Sequence, residues 1–200
     1  MQLFWRQFDK FTQTIVCINI IFYIVSLFKN HFSAITGLSK TDMLHTFASG
    51  GHNNFISIVT AMFSHASLTH LLMNMITLML LSPIIVKYIP IKIYALTYML
   101  SGIIGNSLTR LIHPNMVTMG ASGAIYGMIG LLLVMIISSN FTSYFKGLES
   151  MTFMIFIVVG TNIFFTLYDT HMNVVAHLSG LAIGMIIAII VLIQFKTKIE

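Results

Sequence analysis

The sequence predicts an all-α polytopic membrane protein, a bundle of six transmembrane helices with a long structured outer loop between helices 1 and 2. Hydrophobic residues make up 57% of the 200 residues and charged residues only 8%, whereas soluble domains carry about 25% charged residues. The mean hydropathy is +0.93. Six apolar runs reach about 18–22 residues, the length that crosses a bilayer. The basic residues behind the formal charge of +5 are scattered, which argues against a nucleic-acid partner.

The six predicted spans leave little of the chain outside the bilayer, so we expect residues 1–200 to form one membrane domain. They lie near residues 11–28, 68–86, 91–112, 120–138, 150–168 and 174–195. If the first span starts from the inside, seven of the ten basic residues fall in inner segments, and Lys29, Lys40 and Arg110 lie outside. The positive-inside rule therefore predicts that both termini are cytoplasmic. Since organelle-type targeting features are lacking, we expect a bacterial cytoplasmic membrane.

Residues 29–67 form a long outer loop for which we expect a structure of its own. The loop is too long for a plain connector in so compact a protein. A polar stretch at 49–54 precedes an apolar stretch at 55–63, and this pattern favours short helices that lie on the membrane surface. Such a loop either shapes access to a site or serves as a passive cap.

His70 and Asn74 are polar residues near the outer end of the second span. Their i,i+4 spacing puts them on one helix face, whereas His65 is turned roughly 140° from His70. Polar side chains at this depth are costly, and they usually face the protein interior or a water-filled cavity. Two interpretations stay open: hydrogen bonds between helices, or donors aimed at an anion.

Ser122 lies at the start of the fourth span, within the string Gly120-Ala121-Ser122-Gly123. Backbone N–H groups at a helix start have no intrahelical partner and favour negative charge. A nucleophile beside such donors forms half of an acyl-transfer site. Tyr126 follows one turn later on the same side. A stripe of small residues invites close packing by a neighbouring helix: Gly120, Gly123, Gly127 and Gly130.

His177 begins the corresponding stripe on the sixth span. It stands at i, with Gly180 at i+3 and Gly184 at i+7, so this helix face could press against the fourth span. A lone histidine in a membrane helix is often only a satisfied polar contact. Because His177 lies opposite the span that carries Ser122, we favour the role of a base over that of a polar contact.

The predicted topology places these groups at one depth. With an inner N-terminus, the second, fourth and sixth spans all begin at the outer face, and His70, Ser122 and His177 lie in their first turns. His177 would accept the serine proton during attack and return it to the leaving amine. His70, Asn74 and the backbone N–H of Ser122 could hold the oxyanion.

No carboxylate is well placed in the sequence to orient His177. Of the five acidic residues only Asp169 approaches the outer end of the sixth span, and a loop cap is the favoured interpretation for it. We therefore predict a Ser–His dyad, with Tyr126 as a stacking partner that positions the imidazole.

Three motifs on these spans resemble the rhomboid intramembrane serine proteases, and the resemblance covers essentially the whole chain. The motifs are Gly120-Ala121-Ser122-Gly123 with Tyr126, His70-x-x-x-Asn74, and Ala176-His177-x-x-Gly180-x-x-x-Gly184. The resemblance implies a rhomboid-like bundle with Ser122 as nucleophile and His177 as general base. It also implies an oxyanion site formed by His70 and Asn74, with Gly120 and Tyr126 in support.

The resemblance further implies a class of substrate. Single-pass membrane proteins would be cleaved in or near their transmembrane segment, which must unwind to expose a peptide bond. No cofactor and no metal are expected. One feature departs from the family pattern. Many members carry an aromatic–Arg pair in the first outer loop, but here Phe55-Ile56-Ser57-Ile58 lacks an arginine, which leaves the fold or lipid contacts of that loop open.

Two alternatives remain at this level. One is a catalytically silent rhomboid-like protein that binds transmembrane clients, against which the intact Ser122 and His177 argue. The other is a small metal or proton transporter that uses the outer histidines. Ion pathways usually need carboxylates inside the spans, and the sequence places none there. The oligomeric state is not indicated.

Overall fold

The computed structural model describes residues 8–50, 54–139, 152–168 and 172–196. Within these ranges the chain is helical and contains no β-strand, which confirms the predicted all-α fold. The helices are α1 Lys10–Lys29, α2 Lys40–Thr46, α3 Ile56–Thr60, α4 Leu68–Tyr88, α5 Ile91–Ile112, α6 Ser122–Ser139, α7 Thr152–Tyr168 and α8 Val174–Lys196. Short 3₁₀ turns occur at Ser33–Ile35 and Ala61–Phe63.

The six long helices each overlap one predicted span. By length and composition, α1, α4 and α8 are long and apolar enough to cross a membrane, while α6 is a shorter apolar helix. The first residues of the fifth predicted span, 150 and 151, lie outside the described residues. The single-domain organisation stays a prediction.

The central helix of the bundle is α6. Nearly every side chain from Ala124 to Met135 is buried, and the helix packs most extensively against α8 and then against α5. A helix that is apolar all round needs such enclosure on every side. Of the six long helices, α7 makes the sparsest contacts with the described part of the bundle.

Glycines allow α6 and α8 to approach almost backbone to backbone. A Cβ added at Gly180 would collide with the Gly123 carbonyl oxygen, and one added at Gly184 would collide with the Gly127 carbonyl oxygen. A Cβ at Gly123 itself would make only an ordinary 3.5 Å contact with Ala176. The close approach therefore depends on the two glycines of α8, because the absence of their side chains makes room for the Gly123 carbonyl group and for that of Gly127.

The outer loop is ordered by its own helices and by contacts with the segment that precedes α6, as the prediction of a structured loop requires. Ser49 and Thr118 form an isolated antiparallel bridge, with N–H to carbonyl distances of 2.9 and 2.8 Å. The Gly120 N–H donates to the Ala61 carbonyl at 2.8 Å. The loop thus holds the backbone that leads into Ser122.

An aromatic–arginine pair does exist at the start of α3, although the loop sequence lacks an arginine. Arg110, from the last turn of α5, lies over the Phe55 ring at 5.1 Å from its centroid, a cation–π arrangement. The Arg110 guanidinium also donates to the Asn54 carbonyl at 3.2 Å. The arginine therefore comes from a different element, and together with the Asn106 bond to the Ile58 carbonyl, 2.9 Å, it docks the loop onto α5.

Asn173 caps the N-terminus of α8. Its Oδ1 accepts from the Ala176 N–H at 3.0 Å, and the Thr109 hydroxyl of α5 lies 2.9 Å from the same oxygen. The cap satisfies a backbone donor that the first turn would otherwise leave unpaired. Because His177 follows one turn later, this cap also sets where that histidine enters the bundle.

Replacing Asn173 by alanine is expected to lower the free energy of unfolding by about 1 kcal/mol. For a protein of this size the loss corresponds to a thermal midpoint about 2–4 °C lower. Thermal unfolding in detergent would measure it, with Asn173→Asp as the variant that keeps the acceptor and exposed Asn115→Ala as the control. An unchanged midpoint for Asn173→Ala would contradict the capping role.

Candidate active site

Ser122 is the first residue of α6, and its hydroxyl meets a histidine from α8. Ser122 Oγ lies 2.8 Å from His177 Nε2. The serine is half-buried and the histidine is only 2% exposed. The serine hydroxyl donates to Nε2 when the proton of the neutral imidazole sits on Nδ1. In that tautomer the pair has the geometry of a nucleophile and its base.

Tyr126 fixes the plane of the His177 ring. The two rings stack with centroids 4.3 Å apart and an angle of 4° between their planes. Ser122 and Tyr126 stand at i and i+4, so one face of α6 presents both groups to the histidine. The imidazole is thereby held by a hydrogen bond at one nitrogen and by a buried aromatic surface on its face.

His70 lies against the backbone just before the serine. A Cβ added at Gly120 would lie 2.7 Å from both Cε1 and Nε2 of His70, and Gly120 has φ +129°, a region that favours glycine. Gly120 was predicted as part of the helical stripe on the fourth span, and this prediction was wrong. The positive φ keeps Gly120 out of the helix, which begins at Ser122.

Asn74 lies one turn below His70 on α4 and is 7% exposed. Its Nδ2 donates to the His70 carbonyl at 2.9 Å. A carboxamide has two N–H donors, so this bond leaves one of them to offer to an anion.

The start of α6 adds backbone donors to this cluster. The first N–H groups of a helix have no acceptor one turn earlier, and they carry the positive end of the helix dipole. Ser122 therefore sits where negative charge is favoured. A hydroxyl, a base at 2.8 Å and donors at a helix start are the parts that acyl transfer requires.

The described residues show no group of three or more His, Cys, Asp or Glu side chains close enough to hold a metal ion. Asp169, considered above as a loop cap, lies outside the described ranges.

Sequence reasoning missed three contacts around this site. It set His65 aside as turned away from His70, yet the two rings are 5.0 Å apart and nearly perpendicular. The predicted rotation of roughly 140° holds only within one helix, but α4 begins at Leu68, so His65 is not on the helix and the prediction was wrong. The Arg110 contact with Phe55 and the Thr109 contact with Asn173 join separate elements and leave no local pattern, although a capping signature could have indicated Asn173.

Comparisons with known proteins identify relatives for most of the chain. Residues 52–194 match the model of the Rhomboid domain family. The chain is 33% identical over 132 residues to "Putative rhomboid protease YdcA" of Bacillus subtilis (strain 168), and the matched region covers 66% of this chain and 64% of that protein. It is 30% identical over 130 residues to "Rhomboid-like protease 3" of Toxoplasma gondii, covering 64% and 48%. It is 26% identical over 183 residues to "Rhomboid-like protein 11, chloroplastic" of Arabidopsis thaliana, covering 86% and 62%. The chain thus spans less than two thirds of the length of each relative.

Proposed function

This chain belongs to the rhomboid family of integral membrane proteins, and on that premise we propose that it is an intramembrane serine endopeptidase with a Ser–His dyad. Its substrates are single-pass membrane proteins that it cleaves within or near the transmembrane segment. The observation that carries the proposal is the 2.8 Å distance between Ser122 Oγ and His177 Nε2. Acyl transfer needs this pair, whereas a protein that only binds transmembrane clients does not.

In the proposed reaction His177 Nε2 takes the hydroxyl proton while Ser122 Oγ attacks the scissile carbonyl carbon. The resulting oxyanion accepts hydrogen bonds from His70, from the second Asn74 N–H and from the Ser122 backbone N–H. When the C–N bond breaks, His177 gives its proton to the leaving amine. A water molecule activated by the same histidine then hydrolyses the acyl-enzyme and regenerates the serine.

The Tyr126 ring has part of the positioning role that a carboxylate has in a catalytic triad. A triad aspartate holds its histidine in position and tautomer. Here the stacked ring, 4.3 Å from the imidazole centroid, restrains its tilt. Tyr126 is only 4% exposed, so the surrounding core holds this aromatic surface in place.

The substrate segment must lose helical structure before it can react. Within a helix the carbonyl group of each peptide bond accepts a backbone hydrogen bond and is not accessible to a nucleophile. The bilayer offers no hydrogen bonds to replace those that unwinding breaks. Segments that contain small, helix-weakening residues therefore suit this site best. As part of the same proposal the chain is one domain in a bacterial cytoplasmic membrane, with both termini cytoplasmic, so that the dyad lies near the outer face.

The test is cleavage of a single-pass reporter whose transmembrane segment contains small, helix-weakening residues. Purified wild type should cut this reporter, and Ser122→Ala should not. A serine-directed fluorophosphonate should label wild type and leave Ser122→Ala unlabelled. A folded wild type that neither cuts the reporter nor takes up the probe would contradict the proposal and favour a silent, client-binding protein.

Removing the aromatic ring at position 126 is expected to slow the reaction moderately. An aromatic stacking pair is worth about 0.5–1.5 kcal/mol, so Tyr126→Leu should lower kcat by about 2- to 12-fold. Tyr126→Phe keeps the ring and should stay close to wild type. Steady-state cleavage of the reporter measures both. Equal losses for the two variants would show that the hydroxyl, and not the stacked ring, matters.

A further inference from the structure

His65 is a buried titratable residue that the proposed mechanism does not use. It lies between the 3₁₀ turn Ala61–Phe63 and α4, and its side chain is completely buried. Neither ring nitrogen has a hydrogen-bond partner in the described part of the chain. Buried imidazoles normally find a partner, because an unsatisfied polar group costs free energy.

The direct neighbour of this ring is His70. The ring centroids are 5.0 Å apart and the planes meet at 76°, an edge-to-face arrangement that aromatic pairs favour. Burial, together with the proximity of His70, holds the pKa of His65 well below its ordinary value. The ring is therefore neutral at neutral pH.

The backbone on both sides of His65 is held firmly. The Ala66 carbonyl accepts from the Leu38 N–H at 2.9 Å, and the Ser64 hydroxyl donates to the Thr60 carbonyl at 3.0 Å. The same segment contacts the backbone just before Ser122, because the Ala61 carbonyl accepts from the Gly120 N–H at 2.8 Å. His65 therefore belongs to the same backbone segment that positions Gly120.

We infer that His65 is a positioning residue: its ring, packed nearly perpendicular to the His70 ring, holds the His70 imidazole against Gly120, two residues before Ser122. His70 has a flexible side chain, and an oxyanion donor works only when it is aimed before the charge develops. The His65 ring and the glycine backbone leave the imidazole little freedom to turn. The contact acts through the ring and not through its unpartnered nitrogens. This inference rests on the proposed function, because the aim of His70 matters only if an oxyanion forms.

The first experiment compares ring removal with ring replacement. His65→Ala should lower kcat for reporter cleavage by about 10- to 100-fold, since a misaimed group costs rate of that order, and should leave KM within about twofold. His65→Phe keeps a flat ring without nitrogens and should restore kcat to within about threefold of wild type. Exposed His45→Ala is the control. A His65→Phe variant that folds but is as slow as His65→Ala would overturn the inference.

The second experiment is a double-mutant cycle, which a general loss of folding cannot imitate. If His65 acts through His70, adding His65→Ala to His70→Ala should change kcat by less than about threefold, because the group to be positioned is already gone. Losses that multiply, as for two independent residues, would overturn the inference.

Ser122→Ala separates the role of His65 from the proposed function. If that variant is inactive while His65→Ala keeps the wild-type kcat, only the role of His65 fails. If Ser122→Ala still cleaves, the proposed function fails.

Discussion

Replacing Ser122 by alanine is expected to lower kcat for reporter cleavage by about 10⁴- to 10⁶-fold. The hydroxyl that lies 2.8 Å from His177 Nε2 is the group that attacks the scissile carbonyl in the proposed mechanism, and alanine removes it without adding bulk. His177→Ala should fall in the same range, because an unassisted serine hydroxyl is a poor nucleophile at neutral pH.

The two losses should not add. Residues that act as one unit lose nearly everything with the first substitution, so the Ser122→Ala, His177→Ala double variant should match the single variants within about tenfold. Single-turnover cleavage in detergent measures all three rates, and Ser33→Ala and His45→Ala, both at exposed positions, serve as controls. A His177→Ala variant within about tenfold of wild type would remove the histidine from the role of base.

Replacing Gly184 by valine is expected to have the largest effect on stability. A Cβ at this position would already overlap the Gly127 carbonyl oxygen, and backbone on a neighbouring helix cannot turn aside as a side chain can. The helices α6 and α8 would have to separate, and such overpacking costs about 3 kcal/mol or more. Reporter cleavage should fall as well, because Ser122 and His177 are carried by these two helices.

The matched control for this substitution is Gly160 on α7. A Cβ there meets nothing within 4 Å among the described residues, so Gly160→Ala should leave stability unchanged or raise it by up to about 1 kcal/mol through helix propensity. Unfolding of the detergent-solubilised protein measures both variants. If Gly184→Val unfolds at the same point as Gly160→Ala, the close approach of α6 and α8 is not what holds the bundle together.

The all-α fold class was determined by the sequence alone. A bilayer requires every backbone polar group to be satisfied within the segment, so long apolar runs can only become helices. The same reasoning predicted an ordered outer loop, since a connector of that length needs packing of its own. It also predicted that His70, Ser122 and His177 lie at helix starts on one side of the membrane, because alternate spans begin at the same face.

Depth along the membrane normal does not determine which side chains meet. Only the tertiary structure brings Ser122 to 2.8 Å from His177, turns His65 onto His70 and places Arg110 over Phe55. These contacts depend on the rotation and separation of packed helices and on where a loop ends, and an apolar run has no preferred rotation of its own. Gly120 illustrates the difference: its spacing fits a helical stripe, but its φ of +129° is imposed by the loop contacts that hold it outside the helix.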